Sequence, residues 1–237
     1  MTLLKTLLTI ILYWLKGCNY VRPIGNGLVK ISPRAKLRNS RIYVYPGASL
    51  SIDEDCEIME TLISITAGSC KISGRTIITG ADIVIEDGDV SVGSHTRLNC
   101  KRIWTRFGGK LEIGDYTNIN KDSEIRCDNK IRVGDYNQIS YNVRIWDTDT
   151  HSILPWEERR KVTEKHFPYF GYESCRPVTA PVIIGDDCWI GERSAILKGT
   201  NLGDRCIVGF GTLICNKKIP SDSKVIDKRK LFIARID

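Results

Sequence analysis

The chain has 237 residues, 42% hydrophobic and 27% charged, and Lys and Arg exceed Asp and Glu by seven. That length allows one large or two small domains, and the positive balance suits an acidic polymer or a phosphorylated cofactor. The cations are scattered and not interleaved with aromatics, which excludes the known nucleic-acid modules and any nucleic-acid partner. Nine cysteines form no CxxC pair and no metal-ligand spacing, so no disulfide framework and no metal is expected, and the usage fits a reducing cytoplasm.

Residues 1–17, MTLLKTLLTIILYWLKG, are apolar on nearly all sides. The run is too short to span a bilayer, and Lys16 stands where a signal peptide or lipoprotein would be cleaved. It is expected to be a short helix that lies on the inner membrane surface, caps the fold, or does both. With the Gly- and Pro-containing linker it makes a first segment, 1–27.

From residue 28 to 220 one pattern recurs: an aliphatic residue, three turn residues that begin with Gly, Ser or Asp, and a small side chain. Its aliphatic positions are Ile31, Ile52, Ile72, Val92, Ile113, Val133, Ile184 and Leu202. Between 184 and 214 the spacing is strictly six, at Ile184, Ile190, Ile196, Leu202, Val208 and Ile214. Small residues (Cys188, Ser194, Thr200, Cys206, Thr212) follow four positions later. Helices repeat at 3.6 and strands at 2, so a period of six means a chain that turns a corner every six residues. The expected fold is all-β, a parallel β-helix of about eight coils and about 38 Å, at about 4.8 Å per coil. Earlier repeats of 20 or 21 residues read as coils with bulged corners. The pattern breaks at His151, and residues 151–181 read as an extruded, turn-rich loop, a form that is usually functional. A basic tail, 221–237, closes the chain.

His151 is the best general base available, because imidazole titrates nearest neutrality. Asp149, two residues earlier, or Asp147 would orient it. His95 belongs to a solvent-exposed turn, and His166 lies in the loop as an acceptor contact. Trp189 should point outward, and turns at Gly191, Gly209 and Gly211 let a ligand approach the backbone. Lys217 and Lys218 are candidates for phosphate contacts, although a solvated surface charge is the commoner role. Asn118 and Asn120 are candidate donors to an oxyanion or an acceptor, and Trp146 joins them as an acceptor contact.

The strict hexapeptides, the DTDTH sequence before the loop and the DCWIG on re-entry resemble the hexapeptide-repeat acyltransferases. More narrowly, they resemble the bacterial O-acetyltransferases that modify capsule and O-antigen polysaccharides. The resemblance covers residues 113–220 and, more loosely, 31–112. It implies a left-handed β-helix, a homotrimer with active sites between subunits, acetyl-CoA as co-substrate, and no metal. It makes His151 the base and sets Trp189 against the pantetheine arm. A Gly-x-Pro-Ala-Lys motif common in the family is replaced here by SDSKVIDKRK. The expectation is a cytoplasmic O-acetyltransferase, peripheral at the inner membrane, acting on a sugar hydroxyl of a surface glycan. An N-acyltransferase on an amino-sugar nucleotide and a non-catalytic β-helix binding module are the alternatives.

Overall fold

A computed structural model describes residues 3–168 and 175–228. Helix α1 (Leu3–Leu15) leads into three parallel nine-stranded sheets that wrap one core. Face 1 runs from Tyr20–Pro23 to Leu213–Ile214, face 2 from Leu28–Ile31 to Lys218–Ile219, and face 3 from Lys36–Arg38 to Lys224–Val225. The chain is thus a left-handed parallel β-helix, but it has nine coils where the repeat predicts about eight. Its first strand lies in the stretch read as linker, and its last in the stretch read as tail. Residues 229–237 lie outside the described residues.

Each strand alternates inward and outward side chains, and the inward ones stack as columns. On face 1 the column is Val21, Ile42, Ile63, Ile83, Ile103, Ile125, Ile145, Ile196 and Ile214, all buried. Stacking identical aliphatics at the strand spacing fills a thin core without large rings.

The corner between faces 2 and 3 never changes. Six residues separate its inward aliphatics in every coil, from the pair Ile31 and Leu37 to the pair Leu202 and Val208. From the fourth coil to the eighth, two ladders of side-chain bonds reinforce it. In the first, each corner aspartate accepts a backbone N–H from the coil before. Asp115 takes that of Ser94 (2.6 Å), Asp135 that of Asp115 (2.7 Å), Asp186 that of Asp135 (2.9 Å), and Asp204 that of Asp186 (2.9 Å). The glycines preceding these turns follow from the ladder. A Cβ on Gly114, Gly134 or Gly185 would collide with the carboxylate of the next coil. In the second ladder the small residue donates to the next coil's carbonyl: Thr76 to Gly93, Thr96 to Gly114, Thr117 to Gly134, and Cys188 to Gly203. The cysteines in this slot therefore replace hydroxyls as donors as well as filling space.

The corner between faces 1 and 2 absorbs all the large length changes. Ten residues separate Val21 from Ile31, eight separate Ile125 from Val133, and six separate Ile196 from Leu202. The extra residues of the early coils mostly lengthen the strands that meet here, instead of bulging at several corners. The extruded segment leaves from this same corner, between Arg144–Trp146 and Val182–Ile184. It carries helix α2 (Trp156–His166) where the sequence suggests turns, with Glu157 and Glu158 in its first turn and Lys165 and His166 in its last. That polarity complements the helix dipole.

Candidate active site

The extruded segment begins on a rigid polar root. After Trp146 the regular strand ends, and Thr148 makes an isolated antiparallel bridge with Thr179 on the returning chain. Ala180 N–H donates to Asp147 O (2.9 Å) and Asp149 N–H to Val178 O (3.1 Å). Asp147 is fully buried, and its two carboxylate oxygens accept the backbone N–H groups of Asp128 and Asn129, both at 2.8 Å. Burial raises its pKa, and those two N–H groups partly offset the rise. With both oxygens bonded to the preceding coil, Asp147 clamps the root. Asp149 extends to the other side, where its Oδ2 pairs with Lys198 Nζ at 2.7 Å. The continuous strand that would set Asp149 beside His151 stops at Trp146.

Beneath the root lies a pair that no sequence motif announces. Arg106 is 2% exposed and binds Asp128 through two bonds, Nε to Oδ1 (2.9 Å) and Nη2 to Oδ2 (2.7 Å). Thr148 Oγ1 donates to the same Asp128 Oδ2 at 2.7 Å, and Arg106 Nη2 also reaches Thr150 O at 3.2 Å. Thr150 takes a positive φ of 69° and turns the chain outward into His151, which is exposed. Outside the root, the Arg126 guanidinium lies 4.3 Å from the Trp146 ring centroid and 5.5 Å from that of Trp104. Its Nη1 donates to Thr150 Oγ1 at 3.4 Å. Trp146 therefore packs beside the root of His151, and its ring is already covered on one side by Arg126. Its indole Nε1 is buried without a partner among the described residues.

The remaining candidates fall into other places. Trp189 points outward, 59% exposed, on face 3, in register with Gln138, Asn118 and Ile207. In a three-sided coil, face 3 looks directly away from the corner of faces 1 and 2, where His151 stands. One chain therefore does not bring Trp189 or Asn118 to His151. Asn120 uses its Nδ2 on Ile139 O (3.2 Å) in the next coil. Gly191 and Gly209 answer to stacking, because a Cβ would strike the Val208–Phe210 backbone or the Ile226 side chain. Gly211 takes φ of 63°, a conformation that suits glycine. Lys217 and Lys218 are exposed at the corner of faces 1 and 2 and beyond it, two coils past the root. His166 is half-buried at the end of α2. His95 stacks on Tyr116 (4.6 Å), which stacks on Tyr136 (4.9 Å), in a turn ladder remote from this corner. Of the loop aromatics, Tyr169, Phe170 and Tyr172 lie outside the described residues. Among the described residues, no group of three or more His, Cys, Asp or Glu is placed to hold a metal.

A model of the hexapeptide repeat of succinyl-transferase matches residues 181–215. Bifunctional protein GlmU of Listeria welshimeri is 25% identical over 216 residues, covering 82% of this chain and 42% of GlmU. GlmU of Listeria innocua matches to the same extent, 25% over 216 residues with the same coverage. The chain thus spans less than half the length of these curated relatives. Among solved structures, the polySia specific acetyltransferase NeuO superposes with a TM-score of 0.51 at 17% identity, over 94% of this chain and 90% of NeuO. The polysialic acid O-acetyltransferase OatWY gives 0.45 at 18%, over 90% and 93%. Repeat and fold bear out the resemblance to the hexapeptide-repeat acyltransferases, an enzyme class.

Proposed function

We propose that the protein transfers an acetyl group from acetyl-CoA to a sugar hydroxyl of a surface polysaccharide, capsule or O-antigen, or of its precursor. The observation that carries this reading is His151, exposed at the end of a buried, hydrogen-bonded root on an otherwise regular β-helix. His151 takes the proton of the attacking hydroxyl as its oxygen bonds to the thioester carbonyl carbon. Collapse of the tetrahedral intermediate breaks the C–S bond, and the imidazolium returns the proton to the departing CoA thiolate. Arg106, Asp128 and Thr150 hold the histidine in place without touching substrate.

The opposed faces support a site between subunits of a homotrimer. His151 of one protomer meets the Trp189 face of its neighbour, where Trp189 and Ile207 offer exposed apolar surface to the pantetheine arm. The phosphates of CoA find Lys217 and Lys218. A hydroxyl acceptor is favoured over an amine by the likeness to NeuO, whose name gives it an acetyltransferase specific for polySia. The protein works in the cytoplasm, with α1 against the inner membrane.

The test is His151→Ala with labelled acetyl-CoA and a panel of glycans. Transfer should fall by about 10²–10⁴, the range for a lost general base, with the circular dichroism spectrum unchanged. Unaltered transfer would sink the mechanism. Mixing His151→Ala with Trp189→Ala protomers should restore part of the activity, because some sites then combine one intact half from each chain.

A further inference from the structure

Helix α1 is packed inside out. Its half-buried positions, Thr6, Thr9, Ile10 and Tyr13, recur at helical spacing, and Tyr13 packs on the core of the first coil. Its large apolar side chains face away: Leu7, Leu8, Ile11, Leu12, Trp14 and Leu15 are 48–70% exposed. A contiguous apolar surface of this kind marks an interaction site. No helix among the described residues is long and apolar enough to cross a membrane, so α1 would lie in an interface rather than span it.

Charge supplies an independent observation. No Asp or Glu occurs before Asp53, while residues 1–52 hold eight Lys and Arg. The remaining residues hold 27 Lys and Arg against 28 Asp and Glu, so the whole positive excess belongs to this end of the molecule. The scatter seen along the sequence is thus uneven in space. The first coil sets Arg22 on face 1, Lys30 on face 2 and Arg38 on face 3, all exposed and none ion-paired among the described residues. Arg34 and Lys36 beside them are paired with acids of the second coil.

We propose that α1 and the first coil form an end-on docking surface for an anionic lipid bilayer. The leucines of α1 enter the headgroup boundary while Arg22, Lys30 and Arg38, one on each face, meet the lipid charges. This rests on the membrane contact proposed above and names what that contact recognises. A neutral apolar partner accounts for the leucines and leaves the ring unexplained. A second copy of the chain would bring two rings of like charge together. Nucleic acid would suit the ring and leave the leucines in water.

Sedimentation with phosphatidylcholine vesicles, with and without phosphatidylglycerol, tests this on the full chain. Binding should be at least about tenfold tighter to the anionic vesicles and should weaken with added salt. Each surface cation contributes about fivefold, so R22Q/K30Q/R38Q should weaken binding about a hundredfold. L8E/I11E/L12E should stay in the supernatant while matching the parent in circular dichroism and gel-filtration size. Equal binding to neutral and anionic vesicles, or an unaffected glutamine variant, overturns the charge recognition and leaves the membrane contact standing. Binding to neither vesicle overturns both. A smaller assembly for L8E/I11E/L12E gives the apolar face to a second copy and overturns the proposal.

Discussion

Two corners of the same prism behave in opposite ways. The corner between faces 2 and 3 takes six residues in every coil and, from the fourth coil to the eighth, is bonded by two ladders, an Asp to the coil before and a small side chain, mostly Thr or Cys, to the coil after. The corner between faces 1 and 2 shortens from ten residues in the first coil to five in the last, and is interrupted in the seventh by the segment that carries His151. Where the repeat bonds to itself it has no freedom to vary. Where the strands merely meet, insertions cost only loop closure, which grows slowly with length. His151, the proposed base, sits at the permissive corner, but on a root with side-chain bonds of its own.

That contrast can be broken in graded steps. The largest effect is expected from Arg106→Met, which leaves Asp128 buried and unpaired at the permissive corner. Thermal or denaturant unfolding should show a loss of about 3–5 kcal/mol. The double variant R106M/D128L should recover much of that stability and little of the transfer rate, because Thr150 O has lost its donor. Recovery of full activity would show that the pair serves the fold alone. Asp186→Ala at the invariant corner removes one rung and strands the Asp135 N–H, which should cost about 1–2 kcal/mol and leave the KM for acetyl-CoA unchanged. A shift in that KM would mean the two corners are not separable.

The smallest effect concerns the thiols. Burial pushes Cys70 and Cys100 up to about 12 and Cys188 up to about 11, so at pH 8 they hold almost no thiolate. A disulfide reagent should therefore modify the exposed Cys18 and Cys175 first, and reach the buried thiols only on unfolding, with no change in native stability. Fast native labelling of Cys188 would mean that the ladder opens locally.

The invariant corner is what makes the fold legible. A fixed step of six with a small residue in a fixed slot appears directly in the sequence, and the outward Trp189 follows from counting along it. The ninth coil escapes such counting because its step from Ile214 to Ile219 is five instead of six and its last strand lies in the stretch read as tail. Arg106 and Asp128 lie 22 residues apart and join no motif, and only the register that pairs Thr105 with Cys127 stacks them. Helix α2 does leave a signal, in acidic residues followed by basic ones across eleven residues free of Gly and Pro. The separation of Trp189 from His151 stays hidden because nearness in sequence says nothing about which face a strand joins.

The regular stacking also fixes a height. Face 1 sets six strand spacings between Tyr20–Pro23 and Arg144–Trp146, which at about 4.8 Å each comes to about 29 Å. The β-helix is therefore a ruler between the capped end and His151. With α1 on a bilayer, His151 would stand that far above the lipid, and each coil gained or lost would move it by one increment. The number of coils, a quantity with no bearing on the chemistry itself, would decide which part of a membrane-tethered glycan comes within reach.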